Sequence, residues 1–561
     1  MSVFFGLLAN LWLSLANARR SLRRAPDYVV IRVSGALPEF APEASPLRRL
    51  GLRAAPVPPS LEEIRSRLRL ISGDGRVRGV VLMVQGLDAG WAALEELRRE
   101  ISAFRNGGGR VVVYLLEPDT RSYYMACAAD EVLAAPLSTV GVVGVGTRVN
   151  FLKDALDRIG AEAEVIAVSP YKSAGDTFTR NDFSPEAREQ TERLLGSRFE
   201  TVISAISQGR SIAAEKVRKL VDSAPYSASG AVEAGLIDGA VYEDELPERL
   251  GDSDGQEGVT EWDSARKVLR RPYRRLRRRR KVGVVGLSGV ITRGRSRRLP
   301  VPLPFVGGEQ AGSDSVIGAL RRAEGDRSVG AVLFSVDSRG GDALASDLIW
   351  REVERVRRKK PVVVLMGEYA ASGGYYVSAA ANSILARRNT TTGSIGVVIT
   401  RPVLAGLYEK AGITPVSVER GARAGMLDAS RRPDEDELSV LRDQLQGFYD
   451  GFKDRVSRGR DMPPEDVEPV AGGRVWTGAE ALERGLVDGI GGFEDALEQA
   501  RDLAGMEGDA GWAKIKPPRA ARPSPGRDVE DRLAEVSRTV RELKVTRTWA
   551  ILPYEIREGG G

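Results

Sequence analysis

Short β-branched apolar runs alternate with amphipathic stretches along most of this chain. "VVIRVSGAL" from Val29, "RGVVLMV" from Arg78 and "RVVVYLL" from Arg110 are apolar over strand length. "LASDLIWREVERVRRKK" instead spaces its apolar residues on one helical face and leads into "PVVVLM" from Pro361. Runs that are apolar on both faces predict parallel strands joined by crossover helices, hence an α/β class. Longer helices are predicted over "SPEAREQTERLLGSRFETVISAIS" and "DEDELSVLRDQLQGFYDGFKDRVS".

The pattern occurs twice. "VVIRVSGAL" returns as "VGVVGLSGVI", setting Ser34-Gly35 against Ser288-Gly289 at an offset of 254. "RGVVLMV" matches "VGAVLFSV", and "SYYMACAADEVLA" matches "GYYVSAAANSILA", which sets Tyr123-Tyr124 against Tyr375-Tyr376 at an offset of 252. "GLIDG" from Gly235 matches "GLVDG" from Gly485 at an offset of 250. Ordered matches with a slowly drifting offset identify a tandem duplication of one α/β unit. The expected division is a membrane-associated helix (1–25), a first domain (26–250) and an acidic then Arg-rich linker (251–281). A second domain (282–503) and a C-terminal helix with tail (504–561) complete it.

Residues 3–18, "VFFGLLANLWLSLANA", are followed at once by "RRSLRR". The stretch is shorter than the roughly 20 apolar residues that span a bilayer, and Gly6, Asn10, Ser14, Asn17 and Ser21 recur on one helical face. A helix lying in the membrane interface, or a short anchor, fits that pattern. A cleaved signal and a soluble packing helix are the other readings, although a signal carries its positive charge before the apolar stretch rather than after it. The charge order alone places the remainder of the chain on the cytoplasmic side.

Composition then narrows the chemistry. The 561 residues include no histidine and one cysteine, Cys127. Ser-His-Asp triads, His-ligated zinc, iron–sulfur clusters and internal disulfides are excluded, and neither a metal nor a cofactor is expected. Proton carriers must come from Lys, Asp, Glu or Tyr. The net charge of +6 contains nine basic residues in 270–281, "RRPYRRLRRRRK", so the remainder is slightly acidic and lacks a nucleic-acid footprint. That run reads as a solvated linker, with an anionic surface contact as the alternative.

The two copies diverge where chemistry is expected. The second has "EYAASGGYY", with Ser372 before a glycine pair, and the first has "EPDTRSYY", with Thr120 in the serine's place. Conversely the first has "SPYKSAG" and the second "ERGARAG", so Lys172 aligns with Ala422. A serine kept by one copy and a lysine by the other are what a Ser/Lys hydrolase requires. An amine brought from about 10.4 to about 7.5 costs about 4 kcal/mol in lost solvation, so the fold must bury Lys172 away from carboxylates and near hydroxyls. Ser394 in "TTTGSIGVV" is the candidate hydroxyl, and Gly340-Gly341 with the Gly373 amide are candidates for an oxyanion hole. "SPYK" also fits the Ser-x-x-Lys pattern of penicillin-binding enzymes, but Pro170 biases Ser169 away from helix and no "KTG" follows.

Together "ASGGYYVSAAANSILA…TTTGSIGVV", the "GG" turn, "YKSAG…FTR" and "VWTGAEALERGLVDGIGG" resemble peptidase family S49, the SppA-type signal peptide peptidases, in its long tandem form over about residues 26–503. The resemblance implies a ClpP/crotonase-like superhelical fold, Ser372 as nucleophile, Lys172 as general base, Ser394 in contact with the lysine, and the glycines in the oxyanion hole. It further implies hydrolysis of cleaved signal peptides and other flexible apolar peptides at the inner membrane. The catalytic body would be periplasmic, against the charge order above, and the assembly a homo-oligomer, a tetramer in the long form. Two departures stand out: Arg339 in "SRGG" replaces the family's proline, and Asp176-Thr177 replaces a common Glu-Pro pair. A crotonase-like acyl-CoA enzyme and a non-catalytic peptide-binding scaffold are the competing classes. The first would need catalytic carboxylates, and the second would bind peptides without acylating Ser372.

Overall fold

A computed structural model describes residues 2–41, 59–251, 258–273, 280–298, 308–508, 510–518 and 548–551. Most of the Arg-rich linker and the expected C-terminal helix lie outside the described residues. The chain forms two compact units, Met1–Gly146 with Leu195–Arg279 and Glu558–Gly561, and Thr147–Leu194 with Arg280–Arg557. The segment carrying Lys172 therefore belongs to the same compact unit as Ser372.

The first unit is built on a six-stranded sheet in the order Gly239–Ala240, Glu131–Ala134, Arg110–Leu115, Gly79–Leu87, Tyr28–Gly35, Val259–Glu261. Every neighbouring pair is parallel. Central strand residues such as Val80, Leu82, Val111 and Val113 are fully buried, and helices Leu61–Ser72 and Trp91–Asn106 turn their apolar faces to the same core. At about 25 cal/mol per Å² of apolar surface, two-sided burial is the main force holding such a layer together.

The second unit repeats this order with the corresponding strands. Gly489–Ile490, Ser383–Ala386, Val362–Ala371, Val329–Ser338, Lys281–Ser288 and Trp512–Lys514 follow one another, again in parallel. The matching strand orders establish the duplication in three dimensions. The second unit also carries a seven-stranded sheet with no counterpart among the described residues of the first. Its order is Arg297–Arg298, Glu309–Gly312, Val290–Thr292, Gly340–Asp342, Thr548–Ile551, Val398–Val403, Glu162–Ala167.

Residues Ser2–Ser21 form the N-terminal helix, and no helix among the described residues is long and apolar enough to cross a membrane. The face with Asn10, Leu13, Ser14 and Asn17 is turned inward, and Leu7, Leu8, Leu11, Trp12 and Leu15 are turned outward. Asn17 is buried and its amide brackets the backbone of Arg271, donating to the carbonyl at 2.9 Å and accepting from the N–H at 3.0 Å.

Candidate active site

Ser372 stands at the junction of strand Val362–Ala371 and helix Gly373–Ser378. The turn is sharp enough to hold this non-glycine residue at φ +56° and ψ −116°, a left-handed conformation that costs about 1–3 kcal/mol and needs support from its surroundings. That support is backbone: the Ser372 N–H donates to the Gly393 carbonyl and its own carbonyl accepts from the Tyr376 N–H, both at 2.8 Å. Such a strand-to-helix elbow holds a hydroxyl apart from the regular hydrogen bonding on either side of it.

The second glycine of "SGG" has a steric reason. A Cβ on Gly374 would lie 2.5 Å from the Ser338 carbonyl oxygen. Ser338 ends the neighbouring strand, paired with Ala370, so this approach locks the elbow to the turn leading into Gly340–Asp342. Within that turn the Gly340 N–H donates to Ser338 Oγ at 3.1 Å. Asp342 caps the next helix, Ala343–Arg357, by accepting from the Ala345 N–H. Arg339, in the proline's place, lays its guanidinium over the Tyr369 ring at 4.4 Å, a cation–π contact that ties this turn to the strand bearing the serine.

Lys172 arrives from the other side of the unit. Strand Glu162–Ala167 pairs antiparallel with Val398–Val403, with Ala167 opposite Val398, and the chain then turns through Lys172 into Ser173–Gly175. Its Nζ lies 2.6 Å from Ser372 Oγ, 2.9 Å from the Ser394 carbonyl oxygen and 3.0 Å from Ser394 Oγ. Lys172 is 2% exposed and Ser372 0%. Burial holds the amine well below the ordinary lysine range, and no neighbouring charge contributes to that shift. A neutral amine has two N–H donors and one lone pair. With both donors taken by Ser394 oxygens, the lone pair is left for the Ser372 hydroxyl.

The structure thus brings Lys172, Ser372 and Ser394 together within one chain and puts Gly373 at the first position of the helix following the serine, where a backbone N–H has no intrahelical acceptor. Gly340 and Gly341 form the adjoining strand, which pairs antiparallel with Thr548–Ile551 of the same chain, Gly340 opposite Ile551 and Gly341 opposite Ala550.

Two supporting residues were not singled out from sequence. Gly473, at φ +78°, lets the backbone of Lys172 approach so closely that a Cβ there would lie 2.6 Å from the lysine nitrogen. Gln190 donates to Ser173 Oγ at 3.3 Å and accepts from the Val475 N–H at 3.4 Å, tying the lysine loop to strand Val475–Thr477. The only signals were the doubled glycine of "AGGRVW" and a polar residue on a helix, neither of which specifies a partner.

The corresponding elbow of the first unit is relaxed. Thr120 opens helix Thr120–Ala126, and Asp119 makes a regular N-cap in which its carboxylate accepts from the Ser122 N–H while Ser122 Oγ accepts from the Asp119 N–H. Val142 takes the place of Ser394.

Likeness to known proteins extends over most of the chain. The sequence pattern of Peptidase family S49 matches twice, over residues 103–256 and 354–507. The chain is similar to Serine protease SPPA, chloroplastic, of Arabidopsis thaliana, 32% identical over 453 residues, 80% of this chain and 66% of that protein. Against Protease 4 of Haemophilus influenzae it is 31% identical over 455 residues, 78% of this chain and 72% of the relative. Protease 4 of Salmonella typhi is 26% identical over 535 residues, 90% of this chain and 84% of the relative. A ClpP1 mutant from Listeria monocytogenes aligns at 13% identity with a TM-score of 0.23, over 38% of this chain and 94% of that one, a likeness too slight to carry an argument.

Proposed function

Because the chain belongs to peptidase family S49 and is a serine-type peptidase, we propose that Ser372 and Lys172 are its catalytic dyad and that it acts as an endopeptidase on flexible apolar peptides, cleaved signal peptides among them. The observation that carries this reading is the buried, charge-free contact of 2.6 Å between Lys172 Nζ and Ser372 Oγ.

The neutral amine takes the hydroxyl proton as Ser372 Oγ attacks the scissile carbonyl carbon. The resulting oxyanion is received by backbone amides of Gly340, Gly341 and Gly373, with Ser338 Oγ displaced from the Gly340 N–H. Ammonium Lys172, steadied by the two Ser394 oxygens, returns its proton to the leaving amine and the C–N bond breaks. Water then attacks the acyl-enzyme, giving its proton to Lys172, and the ester bond to Ser372 breaks with return of that proton to Oγ. A substrate bound as an extended strand along Gly340–Asp342 would take the antiparallel place that Thr548–Ile551 occupies here, and so would have to displace it.

An acyl-CoA enzyme would require a free catalytic carboxylate, but Asp342 at the glycine turn caps helix Ala343–Arg357 and accepts from Arg293, and Lys172 is met by two serines. The remaining parts of the reading, membrane association and assembly into a homo-oligomer, a tetramer by the family's long form, rest on family membership. Hydrolysis of a fluorogenic apolar peptide by Ser372→Ala and Lys172→Ala tests the dyad. Each variant is expected to lose about 10³–10⁴-fold in kcat, and undiminished turnover in either refutes it.

A further inference from the structure

The N-terminal helix is mounted largely inside out, Leu13 being the one buried leucine among its described side chains. In a surface helix of a soluble protein the apolar stripe faces the core and the polar stripe faces water. Here Asn17 is the buried polar anchor described above, Ser21 Oγ accepts from Arg270 Nε at 3.0 Å, and Ser14 and Tyr273 hydroxyls meet at 3.5 Å. Arg76 closes the end of the helix, donating to the carbonyls of Arg20 and Arg23, while Asp74 holds both Arg76 and the Arg270 N–H. These bonds fix the helix and the start of the Arg-rich segment to one body, the first unit.

Two kinds of surface are left outward. Leu7, Leu8, Leu11, Trp12 and Leu15 form a stripe at helical spacing, with Leu11 62%, Trp12 66% and Leu15 66% exposed. Beside it stand Arg19 and Arg20 in the last turn of the helix, Arg23 and Arg24 just after it, and Arg270 and Arg271 of the segment bonded to it. Partial burial and, after it, the charge of Arg271 hold Arg20 below its ordinary value, so like charges meet there. A contiguous apolar stripe of this size marks an interaction surface.

We propose that this face docks in the plane of an anionic lipid bilayer, with the leucines and Trp12 entering the headgroup boundary and the arginines contacting lipid phosphates. Charge decides the occupant. A second copy of the chain would bring an identical arginine cluster against this one, and nucleic acid has no use for five large apolar side chains, whereas apolar insertion combined with a basic flank is the requirement of an anionic membrane surface. The bonds of Asn17, Ser21 and Arg76 tie the C-terminal end of the helix to the first unit with its leucine stripe outward, which suits a helix lying on the membrane rather than across it. This deepens the membrane association proposed above and does not depend on the dyad.

The test is flotation of the full chain with phosphatidylglycerol-containing vesicles and with phosphatidylcholine vesicles, run in parallel with hydrolysis of a soluble peptide. Binding is expected to the anionic vesicles, to weaken as salt rises, and to fall about tenfold or more in Leu11→Ser/Trp12→Ser. Arg23→Gln/Arg24→Gln/Arg271→Gln is expected to abolish the preference for anionic lipid while leaving peptide hydrolysis unchanged. Ser372→Ala is expected to bind like the parent, which separates failure of the docking from failure of the dyad. Equal binding to both vesicle types, unaltered binding in the apolar double variant, or salt-insensitive self-association through these residues without vesicle binding overturns the proposal.

Discussion

In the first unit Tyr123 donates its hydroxyl to the Leu236 carbonyl, and in the second Tyr375 donates to that of Leu486 at 2.8 Å. Arg210 forks onto Asp238, and Arg460 onto Asp488. Asp238 accepts from the Val132 N–H and Asp488 from that of Ile384. The bonds that close the α/β layer have thus been kept in duplicate. The elbows, four residues from those tyrosines or fewer, have not. One is a relaxed helix cap with Asp119, Thr120 and Ser122, and the other a strained turn with Ser372, two glycines and a buried amine. Tyrosines shared by both copies serve the fold, whereas the proposed dyad is drawn from what the copies do not share, Ser372 of the second and Lys172 of the first.

Grafting the first copy's elbow onto the second should break the comparison most severely. Gly374→Ser sets a Cβ 2.5 Å from the Ser338 carbonyl, so kcat/KM is expected to fall about 10²–10³-fold, with about 1–3 kcal/mol of stability lost, measured by peptide hydrolysis and denaturant unfolding. Ser394→Val, which installs the first copy's residue, removes an acceptor that favours the ammonium form. The expected result is about a 10–100-fold lower rate, with the rising limb of the pH–rate profile moved to lower pH.

Lys172 makes a prediction of opposite sign for stability. Its folded amine titrates below the ordinary value of 10.5, so between the two values the unfolded chain binds the extra proton and stability rises as pH climbs toward 10.5. Below that window the amine is protonated in both states, and burial of its charge opposes folding in full. Lys172→Met is therefore expected to raise Tm at pH 7, with the gain shrinking as pH approaches 10.5, while abolishing hydrolysis. The smallest effect is expected of Thr120→Ser. In a Ser372→Ala background it should restore no measurable turnover, since position 120 opens a regular capped helix and the residue aligned with Ser394 is Val142.

The parallel strands were legible because two-sided burial writes Val-rich runs directly into sequence, and the duplication aligned them; their order was not. Ser372 and Lys172 were legible as a complementary difference between copies. Which compact unit holds the lysine was not, because that follows from pairing "EAEVIA" with Val398–Val403, and half-polar strands at a sheet edge carry little register information. Gly473 was hidden for a related reason: its role is to leave room for Lys172, which lies three hundred residues away in sequence. The mounting of the N-terminal helix was hidden too, since periodicity finds the two faces but not the Asn17–Arg271 bonds that choose between them.

The claim on which the rest depends is that buried, neutral Lys172 activates Ser372. Its most direct measurement is the rate of covalent labelling by a serine-directed fluorophosphonate, with the adduct located by peptide mass, in the parent chain and in Lys172→Met across pH. The account predicts a single adduct on Ser372 whose rate rises with pH as the amine loses its proton, and labelling slowed about 10³-fold or more and made insensitive to that titration in Lys172→Met. An adduct on another residue, or equal rates in the two proteins, would contradict it.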